Sequence, residues 1–525
     1  MMDQLTLPAH ILAGAATHDG CPLTFASSQG ELSTTLGVLV SEAERLAGAL
    51  QARGIGPGDV VAVQLPGSYE GAVTQVAVAL CGAVLLPVVM IYGPREMDLI
   101  LDRAGAAALF VPREYRGRPH AATLLGGLAS LPALKLAVVV GDSTPDSALD
   151  NSGATGFAEL LEGRAGAYQQ PRLDPDDRAV LMYTSGTTAE PKGVQHSHRT
   201  LLAEVPAQVY TYNGPGALHL GLFPPGHMAG LNSLLRSLLR GTPTIIMQAW
   251  DAALAAQLID RHQVTSSVGA PVQLAGLLDQ QAAGTATLAS LREFLTGAAP
   301  VPPALVRRAD AAGVPAFRSY GLSEHPTICT GTCDDPLVKR AETDGRLLAG
   351  DEVRIVDARG NDRPAGQDGE ILSRGPELFL GYTDPALNAT AFAPGGWFRT
   401  GDVGRLDSDG YLVVTDRLKD IIIRGGENIS AKEVEDLLFT HPAVAEVAVI
   451  PTPDAALGER VCAVVVTRTG SSFDVEAARA LFAAAGAARQ KTPEMIMVVD
   501  ELPRTPSGKV RKDVLRAQAA SQAKS

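Results

Sequence analysis

Cysteine is scarce: five in 525 residues (Cys21, Cys81, Cys329, Cys333 and Cys462), an odd number scattered along the chain. That pattern excludes a disulfide framework and fits reduced thiols in a cytosolic protein. Cys329 and Cys333 form a CxxxC without the additional Cys and His pair that a structural zinc site requires. Positive charge is also in deficit. Lys+Arg number 44 against 57 Asp+Glu, a formal net charge of -13, which argues against non-specific nucleic-acid binding. The same charge repels small anions, so any anion site must be built locally from Lys, Arg and backbone N–H groups. No basic segment followed by an unbroken apolar stretch opens the chain; MMDQLTLPAHILAG does not read as a secretory signal, and a cytoplasmic location is expected. The longest apolar run, Gly71 to Tyr92, is interrupted by Gly82 and Pro87, so it reads as a buried helix-to-strand unit and not as an integral membrane segment. Neither GxxxxGK[ST] nor a GxGxxG opening a helix after a strand occurs, which leaves P-loop NTPases and dinucleotide oxidoreductases unsupported. There is no internal repeat, and no long low-complexity linker apart from the Ala-rich stretch from Ala477 to Ala488.

What is present is an alternation of apolar strand-like runs (DVVAVQL, AALFVP, LKLAVVVG, AVLMYTS, PTIIMQAW) with Ala/Leu-rich helical stretches such as SEAERLAGALQAR. A chain of this length needs at least two domains, and the alternation predicts α/β layers with much parallel sheet. From about Gly345 to Val414, shorter strands punctuated by Gly and Asp predict a mostly antiparallel β subdomain. A separate unit begins near Asp416: Ser430 and Glu433 have capping-box spacing and open a helix, AKEVEDLLFT, that His441-Pro442 ends. The strands AVAEVAVI and VCAVVVT, a further helix and the strand MIMVV complete a small α+β domain, and the segment after Pro503 is rich in Gly, Lys and Arg.

The strongest local feature is TSGTTAEPKG, Thr184 to Gly193, directly after the strand AVLMY. Hydroxyls on Thr184, Ser185, Thr187 and Thr188, the tight turn that Gly186 permits and the charge of Lys192 make a polyphosphate cradle. This stretch resembles the signature loop of the adenylate-forming superfamily, which includes acyl- and aryl-CoA synthetases, beetle luciferases and peptide-synthetase adenylation domains. Six further motifs follow in that family's order: FPPGHMAG (223–230), TGAAP (296–300), SYGLSE (319–324), GWFRTGD (396–402), DRLKDIIIRGGENIS (416–430) and PRTPSGK (503–509).

The resemblance implies a large N-terminal domain of layered α/β subdomains plus a β subdomain (1–415), a hinge (416–420) and a small mobile α+β lid domain (421–525). It implies an enzyme that joins a carboxylate to ATP as an acyl-adenylate, expels pyrophosphate and passes the acyl group to a thiol. Thr184, Ser185, Gly186, Thr187, Thr188 and Lys192 would grip the β- and γ-phosphates. Glu324, with Thr187, would hold Mg2+; Ser323 stands where the family usually has Thr. Ala298, Ala299 and Pro300 with Ser319, Tyr320, Gly321 and Leu322 would form the adenine pocket, Tyr320 stacking on the base. Asp402 matches the acid that accepts the ribose hydroxyls, Arg417 adds a ribose or phosphate contact, and Lys509 matches the lysine that reaches the α-phosphate and the attacking carboxylate. Lys419 is the expected hinge, and Arg424, Gly425 and Gly426 would line the CoA passage.

On the acyl side, His227 is expected at the gate between acyl pocket and thiol tunnel, with a neutral imidazole. Met228, Val268, Gly269, Ala270 and Val272 are expected to form a small apolar wall beside it, with Pro271 between. No Asp or Glu occurs from Phe223 through Trp250, whereas peptide-synthetase domains place an acid there for the substrate's ammonium group. An apolar monocarboxylic acid is therefore the expected substrate, and the chain looks most like bacterial fatty-acid and cyclohexanecarboxylate-type CoA ligases. CoA is the expected acceptor because no carrier-protein domain follows. Loading of a separate carrier protein, or a non-catalytic nucleotide-binding role, stays open as an alternative; Lys509, Glu324 and Asp402, which a non-catalytic relative would lose, are all retained. The resemblance also leaves room for a homo-oligomer and for a lysine acetyltransferase acting on Lys509.

Overall fold

The computed structural model describes residues 6–522, apart from 129–130, 142–152, 163–166, 185–190, 208–211, 425–426, 455–456 and 506–507. The fold is mixed α/β, a large N-terminal part followed by a smaller C-terminal one.

Strands Val60–Val63, Val84–Pro87 and Ala106–Pro112 are buried at every residue and pair in parallel. They can be apolar throughout because helices cover both faces of the sheet. The interrupted run Gly71 to Tyr92 is the helix-to-strand unit expected: helix Tyr69–Leu80 leads into strand Val84–Pro87. Ser68 caps this helix by accepting from the Gly71 N–H at 3.2 Å, a contact worth about 1 kcal/mol. Among the described residues, no helix is long and apolar enough to cross a membrane.

A second sheet places the site. Strands His219–Gly221, Ser266–Gly269, Glu293–Thr296 and Ala316–Tyr320 lie side by side in parallel. Their carboxyl ends, where ligands of open α/β sheets collect, point to one cavity. Beyond Tyr320 the pairing turns antiparallel through Cys329–Thr330, Gly345–Leu347, Tyr411–Arg417 and Trp397–Leu406. The β region expected from Gly345 is thus a continuation of this sheet.

The C-terminal part has its own five-stranded sheet, in which Val444–Asp454 and Gly458–Thr467 form a long hairpin. Its core gathers Ile422, Val434, Leu438, Val449 and Phe482. Helix Ala431–Leu438 starts at the expected cap, the Ser430 side chain accepting from Glu433 N. The Ala-rich stretch is no linker: helix Val475–Ala484 occupies most of it, capped by Asp474. Alanine's high helix propensity, with Phe482 as a buried anchor, explains the difference.

Candidate active site

A cavity of about 600 Å³ lies between the large part and the C-terminal loop carrying Lys509. Four local structures build it.

The first is a hairpin tip. Leu322 N donates to His325 O at 2.9 Å and His325 N to Leu322 O at 3.2 Å, which leaves Ser323 and Glu324 as the two-residue turn. Gly321 is required here, since a Cβ would lie 1.9 Å from the Pro326 oxygen. Tyr382 donates its hydroxyl to Glu324 Oε1 at 2.7 Å, and a nitrogen of His196 lies 2.7 Å from the Ser323 oxygen. Burial pushes His196 down to about 4, so the ring is neutral and donates to that carbonyl. Behind the tip, His325, Asp351 and Glu377 are buried together, the imidazole 3.1 Å from Asp351 and 3.6 Å from Glu377. Burial opposes the imidazolium, yet the two carboxylates hold His325 above its ordinary range.

The second is the hairpin that carries the expected phosphate loop. Strand Arg178–Thr184 pairs antiparallel with Lys192–Ser197, Thr184 facing Lys192 in register, and both residues line the cavity. Lys192 Nζ sits 5.1 Å over the Tyr382 ring, which links this hairpin to the Glu324 tip. Ser185, Gly186, Thr187 and Thr188 lie outside the described residues.

The third is a cation cluster. Asp402 and Arg417 face each other across neighbouring strands, with Arg417 Nε 2.8 Å from Asp402 Oδ1. Tyr320 donates its hydroxyl to Asp402 Oδ2 at 2.8 Å. Lys419 and Lys509 line the same cavity as Arg417. Burial, then the Arg417 charge, pushes Lys509 down to about 7 and Lys419 down to about 8. An anion held among the three would restore the lysines' charge. Lys509 is presented by a tight turn: Thr505 N donates to Lys509 O at 2.7 Å, Lys509 N to Thr505 Oγ1 at 3.1 Å, and Gly508 takes φ +84°. Of the expected adenine-pocket residues, Ala298, Ser319, Gly321 and Leu322 line the cavity, with Gly297 beside them, and Tyr320, its hydroxyl turned to Asp402, does not. Ala298 takes a left-handed φ of 64°, and Ala299 and Pro300 after it do not line the cavity.

The fourth is the amino end of helix Met228–Arg240. His227 is its N-cap, accepting from Ala229 N at 3.2 Å, and its ring stacks on Phe223 at 5.0 Å. Burial pushes it down to about 4, so the imidazole is neutral. Met228 and Val268 line the cavity as expected; Gly269, Ala270 and Val272 do not. Gly269 is closed off by the Phe294 ring, 2.8 Å from where a Cβ would stand, and Ala270 and Val272 pack under the Gly508 turn. Sequence reasoning also missed the rest of this wall: Leu295, Asn232, Arg236 and Glu204 line it. The acid absent between Phe223 and Trp250 thus arrives from helix His198–Ala207. Glu204 accepts from Asn232 Nδ2 at 3.0 Å and from Thr327 Oγ1 at 2.8 Å.

Lys419 sits in a turn closed by Asp420 N and Ile421 N donating to Arg417 O. Arg516 of the last helix pairs with Asp420 at 2.5 Å. Arg424 is tied to Glu494 at 2.7 Å and does not line the cavity, while Gly425 and Gly426 lie outside the described residues.

Residues 21–383 match the AMP-binding enzyme family and residues 433–509 the AMP-binding enzyme C-terminal domain. The chain is 34% identical to the medium-chain fatty-acid–CoA ligase of Escherichia coli K12, over 92% of this chain and 85% of that one. It is 37% identical to a methyl-dioxo-octahydroindenyl-propanoyl:CoA ligase of Mycobacterium tuberculosis, over 90% and 91% of the two chains. Among solved structures, ATP-bound MatB from Rhodopseudomonas palustris superposes with a TM-score of 0.84 at 28% identity, covering 98% of both chains. Ordered motifs, fold and relatives agree: the chain belongs to the AMP-binding, adenylate-forming enzyme family.

Proposed function

We propose that the protein is an AMP-forming acid–thiol ligase that converts a carboxylic acid with a hydrocarbon body into its CoA thioester. In the first half-reaction a carboxylate oxygen attacks the α-phosphorus of ATP, a P–O bond forms, and the bond to pyrophosphate breaks. In the second, the CoA sulfur attacks the acyl carbon and AMP leaves. The observation that carries this reading is the convergence of Lys509, Arg417 and Lys419 on one cavity whose other walls are the phosphate hairpin and His227. Cations fixed where charge develops on phosphoryl oxygens lower the barrier electrostatically.

Thr184 and Lys192, with Ser185, Gly186, Thr187 and Thr188, bind the β- and γ-phosphates. Asp402 takes the ribose hydroxyls, Tyr320 and Ala298 flank the base, and Arg417 bridges ribose and phosphate. Lys509 neutralises the α-phosphate and orients the attacking carboxylate. Glu324, steadied by Tyr382, and Thr187 would hold Mg2+, which supplies charge neutralisation on the phosphates. A single carboxylate on a turn suits an ion that keeps most of its ligands from water and phosphate. Neutral His227 stands between acyl pocket and thiol path. The C-terminal part turns about Lys419 between half-reactions, and Arg424, released from Glu494, then lines the CoA passage with Gly425 and Gly426.

The test is a panel of carboxylic acids incubated with ATP, Mg2+ and CoA. AMP, pyrophosphate and acyl-CoA are the expected products. ADP and phosphate would overturn the reading, and AMP without acyl-CoA would move the acceptor from CoA to a carrier protein.

A further inference from the structure

Behind the Glu324 turn lies a cluster that the proposed reaction does not use. His325 closes that turn, Asp351 precedes strand Glu352–Val356, and Glu377 follows strand Gly369–Arg374. The two strands pair antiparallel with Glu352 facing Arg374, which brings Asp351 to the end where the chain leaves toward Glu377. At Gly375 a Cβ would lie 1.6 Å from Asp351 Oδ1 and 3.0 Å from His325 Nε2, so glycine alone lets the backbone pass this close.

All three side chains are fully buried. Asp351 Oδ2 and both carboxylate oxygens of Glu377 lack a hydrogen-bond partner, and among the described residues no Lys or Arg pairs with either acid. Two buried carboxylates therefore share one imidazole, and the set stays net negative even when that ring is protonated. Buried oxygens left in this way are costly. Neutrality needs either a second proton on the acids or one divalent cation beside a neutral imidazole. A proton would serve one pair of oxygens and leave the others bare, whereas a cation draws on both acids at once.

The distances fit the cation. Zinc bonds of about 2.0–2.2 Å set tetrahedral ligand-to-ligand edges of about 3.3–3.6 Å. His325 Nε2 lies 3.1 Å from Asp351 Oδ1 and 3.6 Å from Glu377 Oε2, and the three donor atoms all fall within 4.8 Å of one another. Nδ1 of the same ring is 3.0 Å from Ser373 Oγ, the kind of partner that orients a metal-bound histidine and leaves its other nitrogen to the ion. One imidazole and two carboxylates, without thiolate, suit zinc, and a second oxygen of either acid can complete the coordination.

We propose that His325, Asp351 and Glu377 bind one Zn2+, a structural ion separate from the Mg2+ expected at Glu324. None of the three lines the cavity, so the ion would not touch substrate. It would tie the Glu324 turn to the loop after Arg374, from which Phe379 N donates to Glu324 O at 2.8 Å and Tyr382 reaches the Glu324 carboxylate. The three ligands stand 26 residues apart in each step, so no compact motif announces them.

The test uses the full chain, stripped with a chelator, reloaded with Zn2+ and freed of excess ion in buffer containing Mg2+. Metal analysis is expected to give about one zinc per chain, and removal of that zinc to lower the melting temperature. Co2+ in its place is expected to show the visible bands of a tetrahedral nitrogen and oxygen site. Glu377→Gln and His325→Ala are each expected to weaken zinc binding by at least about a hundredfold, whereas Glu324→Gln keeps it. Wild-type protein that takes up no zinc overturns the proposal and leaves a second proton as the occupant. Zinc held equally well by both ligand variants, or displaced by Mg2+, also overturns it, because the ion then sits elsewhere. Uptake by the wild-type protein is decisive on its own, so a variant that fails to fold does not shield the claim. No readout depends on turnover, and failure here leaves the ligase reading standing.

Discussion

In the proposed reaction Lys509 concentrates the chemistry into one side chain. An ordinary lysine titrates near 10; burial and the Arg417 charge push this one down to about 7. The sign follows from which form is disfavoured: the cavity penalises the ammonium, so a large fraction of the side chain is free amine at neutral pH, and a bound polyphosphate would reverse the shift. Competitive labelling with a trace acylating agent, read by mass spectrometry, is expected to give a midpoint near pH 7 for Lys509 without nucleotide and a clearly higher one with ATP. A midpoint near 10 in the nucleotide-free protein would show that the cavity does not desolvate it. Residues in ordered motifs, such as Lys509, Glu324, Asp402 and Arg417, could be singled out in the sequence because the motifs mark their positions along the chain. His196, Tyr382, Glu204 and Arg236 were not, because each meets the site only through tertiary packing. Tyr382 reaches Glu324 from 58 residues away.

Local chemistry named one helix start well: Ser430, with Glu433 three residues on, stands at the cap in the fold, whereas the cap at His227 was not read from the sequence. It misjudged the acyl wall because strand geometry alternates. In Ser266–Gly269 one residue, Val268, faces the cavity, and the helix that begins at Pro271 turns Ala270 and Val272 toward the Gly508 turn instead. The turn from Arg417 to Ile421 is the element on which exchange of half-reactions depends in this account. Proline at 419 fixes φ near -65°, so Lys419→Pro is expected to slow thioester formation about tenfold or more while adenylation stays within about threefold. Single-turnover assays of each half-reaction check this, and equal slowing of both would remove Lys419 from the hinge role.

The whole molecule carries a formal charge of -13, yet it brings Arg417, Lys419 and Lys509 to one cavity, with Lys192 at its phosphate end. The large part supplies the hairpins and the proposed acyl pocket. The small part supplies Lys509 on a turn packed against Ala270 and Val272, and Arg516 pairs with Asp420 beside the proposed hinge. The layered α/β architecture was legible from the alternation of strand and helix patterns. Continuity of the antiparallel strands with the central sheet was not, since strand pairing between distant segments leaves no local signature.

The most direct measurement is isotope exchange of pyrophosphate into ATP without CoA, for the wild-type protein and Lys509→Ala. Exchange is expected to require the acid but no thiol. Lys509→Ala is expected to lower this exchange by about a hundredfold or more, yet still to move the acyl group from supplied acyl-adenylate to CoA. Exchange independent of the acid, or equal loss of both half-reactions in Lys509→Ala, would contradict it.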